Sequence, residues 1–209
     1  MDQFLREAMF YGQEAIETLA GKHVMIFGIG GVGSYCAEAI ARAGVGRMTL
    51  VDNDTVGLTN LNRQLCALHS TLGRMKSDVM AERIRDINPA CSVVSMPMLY
   101  NEECKETFFS LEPDYIVDAI DLVSCKLSLI VTAKSRGIPI LSAMGTGNKQ
   151  DPPRFRICDV FETAGDPMSR VIRRELRARG VEKHTVLFSD EPAVTPLPLE
   201  TPPPGRRSI

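Results

Sequence analysis

No two of the chain's six cysteines stand in a CxxC pair. Four-cysteine zinc sites depend on such pairs, so no structural zinc is expected. No apolar run reaches the roughly 18 residues that a membrane-spanning helix needs, so no membrane segment is expected. The start, MDQFLREAMFYG, is charged and amphipathic and lacks the features of an export signal. The thiols are therefore expected to be reduced and the protein cytoplasmic. Scattered as they are, most of Cys36, Cys66, Cys91, Cys104, Cys125 and Cys158 read as small core hydrophobes, and Cys158 as structural in an alternating strand. A net charge of −2 gives no whole-chain sign of a polyanionic partner and leaves only local patches to supply one. There is no internal repeat.

What is present is an alternation of strands and helices in a chain of 209 residues, long enough to bury a core without staples. Continuous apolar runs at 23–29, 47–52, 91–96, 114–120 and 138–143 read as strands. Helical spacing is read over 33–43, 74–87, 101–111 (opened by an Asn101 cap) and 124–135. Strands without polar alternation are buried on both faces, so the expected fold is α/β, a doubly wound, largely parallel Rossmann-like sheet. After Gly147 the pattern changes to an alternating strand at 154–161, a basic helix at 166–180 and a strand at 184–189. The stretch from Glu191 onward holds six of the 13 prolines and is expected to have no regular structure. The expected organisation is a core over 1–147 and a C-terminal strand/helix extension of the same domain over 148–209, with the basic helix and a proline-rich loop.

Between the first strand and its helix lies FGIGGVGSYCAEA. Gly28, Gly30 and Gly33 fit GxGxxG at a strand-to-helix turn, where small residues allow close backbone approach and the helix start offers N–H groups to a phosphate. Asp52, at the end of the second strand, is placed to accept from ribose hydroxyls. That much suits NAD and ATP equally. Downstream, TNLNRQ contributes Asn60 and Arg63, GRMK ends in Lys76, and VDAID puts Asp121 just past the fourth strand. Two cations and a carboxylate are redundant for holding NAD. They suit attack at an α-phosphate, with the cations on the charged oxygens and the carboxylate holding Mg²⁺. ATP is the expected nucleotide.

GxGGxGS, the VDND strand end, NxxRQ, the later lysine and the VDAID carboxylate, in that order over residues 4 to about 147, resemble the hallmark series of the ubiquitin-activating-enzyme-like (ThiF/MoeB) superfamily. The resemblance implies MgATP binding and adenylation of a carboxylate. It makes Gly30 and Gly31 phosphate-loop contacts, Asp52 the ribose ligand, Asn60, Arg63 and Lys76 phosphate ligands, and Asp121 the magnesium ligand. It also implies a homodimer in which an N-terminal arginine, here Arg6, reaches the neighbour's ATP.

The stretch DPPRFRICDVFETAGDPMSRVIRRELRARG, followed by HTVLFSDEP, is similar to the branch of that superfamily that dehydrates threonylcarbamoyladenosine in tRNA. That resemblance implies adenylation of the nucleoside's carboxylate and intramolecular ring closure, in which positioning replaces a catalytic cysteine. Two other readings stay open: an activator of a ubiquitin-like sulfur-carrier protein, with a sulfur-transfer partner, and a nucleotide-binding scaffold or NAD-dependent oxidoreductase. On the basic helix, Arg170, Arg173, Arg174 and Arg177 fall on one face, while Val171, Ile172 and Leu176 can turn inward. That face is the expected tRNA-binding surface.

Overall fold

The structure is a computed structural model that describes residues 3–197. It contains seven helices and seven strands among the described residues. They divide after Val117 into two compact units.

The first unit begins with two short helices, α1 (Leu5–Tyr11) and α2 (Gln13–Ala20), separated at Gly12, whose φ of 87° breaks the helix. β1 (His23–Phe27), α3 (Gly33–Arg42), β2 (Arg47–Val51), α4 (Lys76–Ile87), β3 (Ser92–Met96), α5 (Lys105–Phe109) and β4 (Tyr115–Asp118) follow. The strand order is β3-β2-β1-β4. β1 and β2 are parallel from His23↔Arg47 to Phe27↔Val51, and β2 and β3 from Arg47↔Ser92 to Val51↔Met96. Alternate residues of a strand face opposite sides. Val24, Ile26, Met48 and Leu50 pack with Ala37 and Ala41 of α3 and Met80 and Ile84 of α4. Phe27, next in β1 after Ile26, meets Tyr100 and Phe108 at ring-centroid distances of 5.2 and 5.4 Å. Helices on both faces of parallel strands are what continuous apolar runs require.

The helix expected over 101–111 is shorter. Asn101 Oδ1 accepts from the N–H groups of Glu103 and Cys104, both at 3.0 Å, which folds 101–104 into a turn ahead of α5. Those are the amides a capping Asn takes, so Asn101 caps this turn while α5 itself starts at Lys105.

The second unit holds α6 (Val123–Ser135), β5 (Ile140–Ala143), β6 (Phe155–Asp159), α7 (Pro167–Ala178) and β7 (Thr185–Ser189). The order is β5-β7-β6, with β5 and β7 parallel and β6 antiparallel to β7. The extension expected after Gly147 is thus built of β6, α7 and β7. Asp166 caps α7, its Oδ2 accepting from the Ser169 amide at 2.7 Å, and Pro167 opens the first turn. Met168, Ile172 and Leu176 form its buried stripe, while Val171 is only half-buried.

All six cysteines are free, three buried and three half-buried. Residues 191–197 carry no helix or strand, and the rest of the proline-rich stretch lies outside the described residues. Among the described residues no helix is long and apolar enough to cross a membrane.

Candidate functional site

β1 and β2 run parallel, so both end on the same edge of the first unit. Gly28 turns the chain out of β1 with φ 86°, its N–H donating to Val51 O at 2.9 Å. No side chain caps the start of α3. Gly30 and Gly31 have ordinary φ values and room beside them. A Cβ on Gly30 would have Gln64 Nε2 as its nearest neighbour at 3.8 Å; on Gly31 it would meet Arg63 O at 3.5 Å. The fold therefore does not demand glycine at either position, and the space beside these backbones suits a ligand that must approach closely. Gly33 is the first residue of α3 and is buried.

Ser34 fastens this loop. Its hydroxyl donates to Gly30 O at 2.6 Å and accepts from the Leu65 amide at 3.1 Å, tying the glycine turn to the segment that carries Arg63. Asp52 does the same from β2. Its Oδ2 accepts from the Ile29 amide at 2.6 Å and its Oδ1 from the Asp54 amide at 2.8 Å. Each carboxylate oxygen has two lone pairs, so acceptor capacity remains. Burial pushes the Asp52 carboxyl above the usual aspartate range, opposed by those two amides and the Lys76 charge.

Asn60 builds the next loop: its Oδ1 closes the turn on the Gly57 amide at 2.9 Å, and its carbonyl accepts from the amides of Arg63 and Gln64. Arg63 is exposed. Its Nη1 donates to Thr59 O at 2.8 Å and Asn62 Oδ1 at 3.0 Å, while its stem flanks Gly31. The remaining guanidinium donors are available to an anion. Lys76 is the first residue of α4, 5% exposed, and its Nζ lies 2.9 Å from Asp54 Oδ2. The first unit thus gathers the glycine turn, Asp52, Asn60, Arg63 and Lys76 on the connections that leave β1 and β2. Arg6 is exposed on α1.

In the second unit, Asp118 closes β4 and Asp121 follows on the turn into α6, exposed. Asp118 is buried: its Oδ1 accepts from the Ile120 amide at 3.0 Å and its Oδ2 from Lys126 Nζ at 2.7 Å. Burial pulls the Lys126 ammonium below the ordinary lysine range, with Asp118 opposing. Of the two carboxylates in VDAID, Asp121 is the one open to solvent. No group of three or more metal-ligating side chains occurs among the described residues.

A sequence model of the ThiF family matches residues 4–170, most of the chain and all of the elements just described in the first unit. The chain belongs to the ThiF family. A relative in that family, the tRNA threonylcarbamoyladenosine dehydratase of Bacillus subtilis, is 48% identical over 192 residues, covering 91% of this chain and 76% of that protein. Crystal structures of the E. coli tRNA N6-threonylcarbamoyladenosine dehydratase, TcdA, in complex with AMP and with ATP superpose with a TM-score of 0.89 at 38% identity, covering 93% of this chain and 82% and 83% of theirs. The E. coli molybdopterin-synthase adenylyltransferase is 32% identical over 138 residues, covering 66% of this chain and 54% of that protein.

The ThiF-family match stops at Arg170, the first arginine of the basic face on α7. Three arginines of that face are engaged within the fold. Arg173 donates to the carbonyl and hydroxyl of Thr163, and Arg174 pairs with Glu175 at 2.8 Å. Arg177 lies over the Phe161 ring at 5.2 Å, and Arg170 is exposed. The single-face periodicity holds, but Arg173 is half-buried because its guanidinium holds the turn before α7.

The sequence reading did not single out three residues that shape this ThiF-family site. Ser34 and Asp54 were legible as the serine ending GxGGxGS and the second acid of VDND. Gln64 was legible as the last residue of NxxRQ. What marks Ser34 and Asp54 is their partners, the glycine turn and Lys76, whereas Gln64 Nε2 stands 3.8 Å from where a Cβ on Gly30 would be.

Proposed function

We propose that this ThiF-family chain uses ATP to dehydrate threonylcarbamoyladenosine in tRNA, by adenylating the nucleoside's carboxylate and then closing a ring. The carrying observation is the extent of the likeness. It joins the nucleotide-binding connections of the first unit to β6, α7 and β7, whereas the likeness to a sulfur-carrier activator covers a smaller share of the chain.

In this reading ATP lies along the glycine turn, with Gly28 and Gly33 shaping it and the Gly30 and Gly31 backbones against the phosphates. Asp52, prefixed by two amides, accepts from the ribose hydroxyls. Asn60 holds its loop and, with Arg63 and Lys76, faces the phosphates. An exposed carboxylate such as Asp54 is a weak competitor, so Lys76 can exchange it for a phosphate oxygen. A carboxylate oxygen of the nucleoside attacks the α-phosphorus and pyrophosphate leaves. Arg63 and Lys76 stabilise the charge that builds on the phosphoryl oxygens. The neighbouring ureido group then attacks the acyl carbon, AMP leaves, and one water is lost overall. Attack within one molecule gains from effective molarity, so no covalent enzyme intermediate is needed.

Asp121 suits Mg²⁺, since a single exposed carboxylate oxygen is the donor this cation takes when ATP supplies the phosphate oxygens. When bound, the ion would neutralise charge on the triphosphate. The chain works as a homodimer in this reading, with Arg6 reaching the neighbour's nucleotide. Support comes from α1 itself, where Met9, Phe10 and Tyr11 beside Arg6 are 81%, 80% and 68% exposed, an apolar surface that a second copy would cover. Free thiols fit the cytoplasm. The tRNA backbone would lie on Arg170, Arg174 and Arg177, with Arg173 holding the turn beneath.

The test mixes the protein, MgATP and tRNA carrying the modification, and follows the nucleoside by mass spectrometry. Loss of one water, with AMP and pyrophosphate released, is the expected result. Pyrophosphate exchange that depends instead on a carrier protein's diglycine end would transfer the chain to the sulfur-carrier reading.

A further inference from the structure

Lys126 and Asp118 form an ion pair in which both side chains are 0% exposed. Burying both charges is costly, and apolar side chains of the same volume commonly pack at such positions as stably or more so. Stability alone is therefore a poor reason for the pair. Its geometry offers a better one. Asp118 Oδ1 holds the Ile120 amide at 3.0 Å, and the Lys126 amide donates to Leu122 O at 3.0 Å. Ile120 and Leu122 are the neighbours of Asp121 on either side. Leu122 is also the cap of α6 and makes no capping bond with its own side chain. The short turn from β4 into α6 is thus held by the carboxylate of the pair, which Lys126 Nζ fixes in turn through Oδ2 at 2.7 Å, while the Lys126 amide bond to Leu122 is the ordinary first-turn bond of α6. Asp121 is also within electrostatic reach of the Lys126 ammonium.

We propose that Lys126 and Asp118 are positioning residues that hold the turn presenting the Asp121 carboxylate to Mg²⁺. The inference rests on the reading of Asp121 as the Mg²⁺ ligand. The pair fixes the backbone just ahead of Asp121 through the Ile120 amide, and its buried cation offsets the repulsion between two carboxylates three residues apart.

The test uses the full chain, with ATP–pyrophosphate exchange on modified tRNA measured across a Mg²⁺ series. The variants are Asp121→Asn and the apolar pair replacement Asp118→Leu with Lys126→Met, which removes the carboxylate that holds the Ile120 amide. The double variant is expected to keep its melting temperature and its affinity for ATP without added metal, while the Mg²⁺ concentration for half-maximal exchange rises about tenfold, as for other residues that orient a metal ligand. Wild-type Mg²⁺ dependence in Asp121→Asn removes the reading of Asp121 and the inference with it. An impaired Asp121→Asn beside an unchanged, folded double variant overturns the positioning role alone. Should the double variant not fold, the wild-type protein labelled with ¹³C at the lysine Cε decides. The Lys126 resonance is expected to shift when Mg²⁺ joins ATP and to stay still in Asp121→Asn. A wild-type resonance indifferent to Mg²⁺ overturns the proposal.

Discussion

Replacing Gly31 with alanine separates the demands of the fold from those of the nucleotide. The added Cβ would meet Arg63 O at 3.5 Å, Cγ at 3.7 Å and Cδ at 3.9 Å, ordinary van der Waals contacts, and φ at Gly31 is not in the left-handed region. Alanine in a compatible conformation restricts the unfolded chain, so stability is expected to hold or rise by about 0.4–1 kcal/mol. The phosphate would fare differently. A backbone N–H donates to oxygen at about 2.9 Å, whereas a methyl group keeps neighbouring heavy atoms at roughly 3.5 Å or more. Displacing the phosphate by that difference weakens one charge-assisted hydrogen bond or more, each worth about 1.5–3 kcal/mol, or roughly 10- to 100-fold in affinity. Calorimetric titration with ATP beside a thermal melt reads both quantities. Gly46→Ala supplies the contrast, because its Cβ would sit 1.7 Å from Ala20 O, a backbone atom, and that variant is expected to melt far lower. A folded Gly31→Ala protein with wild-type ATP affinity would refute the reasoning.

Arg63→Ala and Lys76→Ala should each lower the rate of adenylate formation more than ATP affinity, and Asp52→Ala should act on affinity and also loosen the Ile29 and Asp54 amides; wild-type turnover in Arg63→Ala would remove the adenylation reading. Burial, with the Lys134 and Lys126 charges, lowers the His184 pKa to about 3 from 6.5. Below pH 6.5 the unfolded chain binds a proton there that the folded chain refuses, so stability present above that pH is lost as pH falls toward 3, by an amount on the order of 5 kcal/mol. Urea unfolding of wild type and His184→Gln at pH 7 and pH 4.5 checks this, and equal pH sensitivity in the two would count against it. Co-expressed Arg6→Ala and Asp121→Ala chains, each inactive alone, should form mixed dimers with partial activity; none in dimers shown to be mixed would place Arg6 outside the neighbour's site. Arg170→Glu with Arg177→Glu should weaken tRNA binding and flatten its salt dependence with ATP binding intact; an unchanged salt series would return α7 to an ordinary solvated face.

Sequence alone determined the order of elements from β1 onward and the nucleotide turn, because both are written in local patterns. Apolar runs without alternation mark strands covered on two faces, and glycines at a strand-to-helix turn mark a backbone that something must approach. The stripe of Met168, Ile172 and Leu176 follows in the same way from a helix's period. Tertiary structure decided which partner each polar side chain takes. Lys76 meets Asp54 across 22 residues and the Ser34 hydroxyl meets the Leu65 amide across 31, so neither contact leaves a local trace. Asn60 and Asn101 look alike in sequence as polar loop residues. One closes a turn on the Gly57 amide three residues before it, and the other accepts from the amides of Glu103 and Cys104 after it. Arg173 shares the spacing of its three neighbours on α7, yet only it reaches Thr163. Periodicity reports which face of an element meets the core. The partner of a charged or hydrogen-bonding group depends on distances between segments remote in the chain, which exist only once the strands and helices have packed.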